Sequence, residues 1–74
     1  MTIEMTKKYF KIDRKHIVYI KGILEAYEGM ASMRTHDANI AIIEIAINPH
    51  FNETISGTID EMQNYTGMIE LKLE

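Results

Sequence analysis

The stretch from Asp13 to Ala31, DRKHIVYIKGILEAYEGMA, most narrows what this chain can fold into. It reads as one helix with both ends marked. Asp13 suits the N-cap, where its carboxylate accepts from the free N–H groups of the first turn and sits at the positive end of the helix dipole. Ile17, Ile20, Leu24 and Tyr27 recur at steps of three, four and three, an apolar stripe at helical period that Ile23 widens. Lys15, Lys21, Glu25 and Glu28 fall largely off the stripe. Lys21 and Glu25 make an i,i+4 pair of opposite charge in its weaker order. Gly29 follows the last periodic residue, where a left-handed cap is expected. Gly22 lies mid-helix at a cost of about 1 kcal/mol relative to Ala, and close packing against a neighbour is the expected reason.

On both sides of this helix the chain alternates. Met5 to Ile12 reads as a strand, with Phe10 and Ile12 on one face and Tyr9 and Lys11 on the other. Met30 to Thr35 is a weaker strand, with Ala31 and Met33 toward the core and Ser32 and Arg34 outside. His36-Asp37-Ala38-Asn39 is a turn, since Asp and Asn suit turn positions. Ile40 to Ile47 is rich in β-branched isoleucine and gives the strongest strand signal. Ile43, Ile45 and Ile47 face inward, and Ile42, Glu44 and Ala46 face out. Pro49 ends that strand because it cannot donate to a ladder. A second helix starts between Pro49 and Asn52 and carries Phe51, Ile55, Thr58/Ile59 and Met62 at helical spacing. Gly57 and the β-branched Thr54, Ile55, Thr58 and Ile59 lower its propensity, so it depends on packing. Gly67 breaks the chain. Met68 to Glu74 then alternates, with Ile69, Leu71 and Leu73 assigned inward and Glu70, Lys72 and Glu74 outward.

The order strand, helix, strand, strand, helix, strand predicts an α+β class and a ferredoxin-like βαββαβ plan. Its four-stranded antiparallel sheet has order 4-1-3-2, with both helices on one face. The other face is open and, by alternation, carries Tyr9, Lys11, Ser32, Arg34, Ile42, Glu44, Ala46, Met68, Glu70 and Lys72. Tyr9, Lys11, Arg34, Ile42, Glu44 and Ala46 form the expected interaction surface on that face.

At 74 residues the chain is one domain, 1–74, with 1–4 expected as a flexible tail. One core of this size barely outweighs conformational entropy, and self-association is a common support. There is no cysteine, so disulfides and thiolate metal sites are excluded. The longest apolar run, Ile40 to Ile43, is too short to span a bilayer. The first ten residues lack an apolar signal core, which predicts a cytoplasmic location. Asn52-Glu53-Thr54 and Asn64-Tyr65-Thr66 are then chance matches to the glycosylation sequon. The net charge of −3 hides an asymmetry: residues 1–21 carry six basic and two acidic side chains, and residues 22–74 carry two basic and nine acidic ones. Such a basic edge on an acidic body can orient a charged partner.

The Asp13-Arg14-Lys15 opening, the Tyr19-Ile20 pair, Leu24-Glu25-Ala26-Tyr27-Glu28-Gly29 and Arg34-Thr35 together resemble domain of unknown function 4911, a family of short bacterial proteins. The resemblance covers nearly the whole chain in length and order and implies no activity. The plan also resembles ACT regulatory domains, which share this fold, often dimerise and bind an amino acid at a Gly-containing loop after the first strand. Here that loop reads Asp13-Arg14-Lys15-His16 and has no glycine. A fold shared by so many functions is weak evidence for any one of them.

Chemistry is sparse. RNA-recognition modules of this strand order stack bases on outward aromatics of the two central strands. Tyr9 fits, but the third strand offers Ile42, Glu44 and Ala46, and the acidic balance after residue 21 repels phosphate. These features argue against nucleic acid as a partner. His16, His36 and His50 lack the i,i+4 spacing of a helical metal site. Ser32 and Ser56 have no His–acid partners at recognisable spacing. Arg14 begins the helix as in small phosphatases of this fold, without their glycine-rich loop. The expectation is therefore a non-enzymatic interaction or regulatory module, a homodimer through its sheet, with no cofactor, no metal and no membrane partner. The alternative is an ACT-type sensor of a small amino-acid-like metabolite, with Arg14, His16, Glu25 and Tyr27 as the ligand region.

Overall fold

The computed structural model describes residues 4–73. The expected tail at Met1 to Glu4 therefore lies, apart from Glu4, outside the described residues, as does Glu74. The elements run β1 (Thr6–Lys11), α1 (Ile17–Glu25), β2 (Ala31–Asp37), β3 (Ile42–Ile47), α2 (Asn52–Thr66) and β4 (Ile69–Leu71). Short 3-10 turns, Arg14–His16 and Pro49–Phe51, lead into the two helices. The sheet is antiparallel with order β2-β3-β1-β4, the expected 4-1-3-2 read from the other edge.

Both helices pack on one side of it. Ile20 and Leu24 of α1 join Ile55, Ile59 and Met62 of α2 in a single cluster with Phe10, Ile43, Ile45 and Ile47. Those pairs across the sheet are opposite each other in register, Phe10 with Ile43 and Ala31 with Ile47. The stripe read from the sequence is thus the packed face of α1, with Ile17, Ile23 and Tyr27 at its margin. Phe51, in contrast, lies in the 3-10 turn ahead of α2 and is exposed.

The first helix is shorter than Asp13 to Ala31. Asp13 does cap, its Oδ1 accepting from the Lys15 amide at 3.1 Å, but the turn it caps is a 3-10 turn, and α1 begins only at Ile17. At the far end α1 stops at Glu25. Tyr27 then accepts from the Met30 and Ala31 amides through its carbonyl, at 2.9 and 3.3 Å, while Gly29 adopts φ +85°. That left-handed step turns the chain into β2. Gly22 does not pack closely: a methyl group added there would meet nothing within 4 Å. Its position on an exposed helix surface, rather than a crowded interface, explains why the expected contact is missing. Among the described residues Lys21 and Glu25 form no ion pair, as their weaker order allows.

β2 runs on to Asp37 with a bulge between Thr35 and Asp37. The turn consequently falls at 38–41, where the Asp37 carboxylate accepts from the Asn39 and Ile40 amides at 2.9 and 3.4 Å. Ala41 closes this turn at φ +54°, and β3 begins at Ile42 rather than Ile40.

The largest correction concerns β4. The sequence alternation placed Ile69 and Leu71 in the core. In the structure Met68 is buried there, and Ile69 and Leu71 lie opposite Lys11 and Tyr9 on the open face. Glu70 lies opposite Phe10 and is exposed at the rim of the helix-covered side. Alternation alone cannot choose between faces, because a one-residue slip exchanges them. The helix cap chooses. Gly67 at φ +73° donates to the Gln63 carbonyl at 2.8 Å, and the Thr66 hydroxyl oxygen accepts from the Met68 amide at 3.2 Å. Met68 is thereby turned under α2, and every later side chain follows from it.

Candidate functional site: the open sheet face

Three cross-strand rows make up the open face, two of which cross all four strands. The first runs Leu71, Tyr9, Glu44, Arg34 across β4, β1, β3 and β2. Glu44 is the one buried charged residue described, 4% exposed. Arg34 covers it, with Nε 3.0 Å from Oε1 and a terminal guanidinium nitrogen 3.4 Å from Oε2. The Arg34 side chain itself is 71% exposed, so the pair is a buried carboxylate beneath a solvated cation. Such geometry satisfies Glu44 while leaving much of the guanidinium to water. Desolvation and then the neighbouring Glu44 carboxylate raise the pKa of the Tyr9 hydroxyl above its usual value, with Arg34 opposing. The Tyr9 ring also meets His36 edge to face, with centroids 4.8 Å apart. The β2 bulge brings His36 there.

The second row runs Ile69, Lys11, Ile42, Asp37. Ile42 is only 6% exposed, yet it lies outside the helix-side cluster. Its cross-strand neighbours on this face are Lys11 and Asp37. The Lys11 ammonium donates to the Ile40 carbonyl at 3.0 Å, which lays its methylenes along the face. Ala46 is half-buried opposite Lys7 and Ser32. Tyr9, Lys11, Arg34, Ile42, Glu44 and Ala46 thus share one surface. Sequence reasoning missed Ile69 and Leu71, which complete its apolar end, and His36. The missed signal was the glycine cap, because the residue just past such a cap commonly returns to the core.

Arg14, His16, Glu25 and Tyr27 do not come together. The Arg14 guanidinium donates to the Ala38 and Asn39 carbonyls at 2.7 Å each, clamping the β2–β3 turn. The His16 ring lies 6.0 Å from that of Tyr65, whose ring is 4.6 Å from Tyr19. Tyr27 packs against the core margin. Glu25 lies at the opposite end of α1 from Arg14, roughly 12 Å along the helix axis from Ile17. It lines a cleft of about 270 Å³ with Lys21, Leu24, Glu28, Ser32 and Met33. Among the described residues no three His, Cys, Asp or Glu side chains are grouped to hold a metal ion. No described helix is long and apolar enough to cross a membrane.

The family model described as Domain of unknown function (DUF4911) matches residues 10–66. The chain belongs to that family. No curated protein and no solved structure matches it. The DUF4911 match begins at Phe10 and ends at Thr66, so β1 enters it only in part and β4 lies outside it. Most of the open face is inside the match, but its exposed apolar end on β4 is not.

Proposed function

We propose that this DUF4911 chain is a non-enzymatic interaction module that self-associates through its open sheet face. One observation carries the reading. The register of β4 puts Ile69, 64% exposed, and Leu71 beside Tyr9 on the face that no helix covers. Ile40, also half-exposed, lies at the same end through the carbonyl that Lys11 holds. The face is therefore more apolar than alternation alone suggested, since Glu70 is not on it. A second copy would bury this strip, and Arg34 at its margin with Lys11 beside Ile69 would fix the angle of approach. A domain this small gains from such support.

Sedimentation velocity over a concentration series tests the reading. The wild-type chain is expected to sediment as a dimer. Ile69→Lys is expected to give a monomer with an unchanged circular dichroism spectrum, because Ile69 contributes little to the core. A wild-type chain that remains monomeric at its highest attainable concentration would end the proposal.

A further inference from the structure

A cleft at the end of α1 lies against the β2 edge on the helix side and reaches the open sheet face only at Ser32. Its floor is apolar: Leu24 and Ala31 are buried and Met33 is partly so. Glu25 and Glu28 stand along its wall, with Lys21 one turn behind Glu25. None of the three forms an ion pair among the described residues. Lys21 and Glu25 are spaced to meet on the helix and do not, and Glu28 has no cationic partner among the described residues, so both glutamates lining the cleft are unpaired. The wall also lies at the C-terminal end of α1, where the helix dipole is negative. Two carboxylates and a dipole end thus outweigh one ammonium, above a surface that favours hydrocarbon.

We propose that this cleft binds a small primary aliphatic amine, its alkyl chain on Leu24, Ala31 and Met33 and its ammonium group between Glu25 and Glu28. The volume suits a short chain and lies just below the usual range for drug-sized ligands. Charge decides the class. A carboxylate would meet Glu25 and Glu28, and a neutral alcohol would gain only the floor. Lys21 opposes the ligand, which separates an amine from a zwitterion: a zwitterion would use Lys21 for its carboxylate, and an amine is held better without it.

An NMR titration of the full chain, following backbone amides, tests this with 1-aminopentane, pentanoate and 1-pentanol as probes. The amine is expected to shift amides within residues 21–33 saturably at millimolar concentration, and the other two probes far less. Glu25→Gln with Glu28→Gln should weaken amine binding by roughly fivefold, as two solvent-exposed charge contacts allow. Both residues are exposed, so the rest of the spectrum should be unchanged. Lys21→Gln should tighten binding about twofold, on the same scale for one exposed charge. Absence of a saturable amine response overturns the proposal, as does an equal response to 1-pentanol. Weaker amine binding in Lys21→Gln overturns it too. These outcomes leave the sheet-face reading untouched, because that reading rests on sedimentation.

Discussion

β3 is buried on both of its sides, and the two sides are buried by different means. On one side Ile43, Ile45 and Ile47 lie beneath two helices, with no exposed surface at all. On the other, Ile42 and Glu44 are nearly as hidden without a helix over them, among the cross-strand neighbours Lys11, Asp37, Tyr9 and Arg34. Low exposure therefore describes a close-packed core in one case and a thin, partly polar covering in the other. Interdigitated cores feel the loss of even one methylene, because little collapses into the gap. Solvent-backed side chains such as Lys11 and Arg34 can resettle over a smaller neighbour.

The difference can be broken most sharply with paired truncations. Ile45→Ala should lower unfolding stability by about 3 kcal/mol, read by denaturant titration. Ile42→Ala should cost less than half of that, measured with the chain dilute enough to be monomeric. Equal costs would mean that the open side is packed as tightly as the core.

The Arg34–Glu44 pair offers a finer test. Arg34→Leu leaves a buried carboxylate without its partner, at a cost of about 1–2 kcal/mol once the solvent exposure of Arg34 is allowed for. Adding Glu44→Leu should recover most of that, since the orphaned charge is what destabilises. A double-mutant cycle reads the coupling directly. No recovery in the double variant would show that the pair holds β2 on β3 by geometry rather than by charge.

The smallest effect concerns Tyr9. Its hydroxyl pKa is raised in the folded chain, so the unfolded chain releases that proton first as the pH rises. The stabilising contribution is complete below the ordinary tyrosine pKa and is lost as the pH climbs through the folded value. Melting temperatures measured between about pH 9 and pH 11 should fall less steeply for Tyr9→Phe than for the wild type. Matching slopes would place the Tyr9 hydroxyl in bulk-like solvent and remove it from the polar row.

Much of this arrangement was legible in the sequence, and the exceptions have identifiable causes. Period-two alternation placed Phe10, Ile43, Ile45 and Ile47 correctly because a strand buried beneath helices must keep one face apolar. It placed the six candidate surface residues together for the same reason. It failed at β4, where only three residues pair and Met68, Ile69 and Leu71 compete for the inner face. There the decision belongs to the backbone at Gly67, not to hydropathy. The length of α1 was overestimated because the apolar stripe continues through Tyr27, which packs on the core from a turn rather than from the helix. Arg14, His16, Glu25 and Tyr27 are not gathered in one place for a plain geometric reason. Arg14 and Glu25 are bridged by the helix, and Arg14 makes its hydrogen bonds to the carbonyls of a turn 24 and 25 residues away.

The glycine cap before β4 has an evolutionary consequence. Because side chains alternate strictly along a strand, gaining or losing one residue between Thr66 and Ile69 would exchange the outward set for the inward one. Glu70 and Lys72 would then look outward, and the isoleucine and leucine would turn inward. No surface residue would need to be substituted for the β4 end of the open face to change from apolar to charged. A lineage could turn that end of the sheet from apolar to charged, or back, with a single codon inserted or deleted in the connection between α2 and β4.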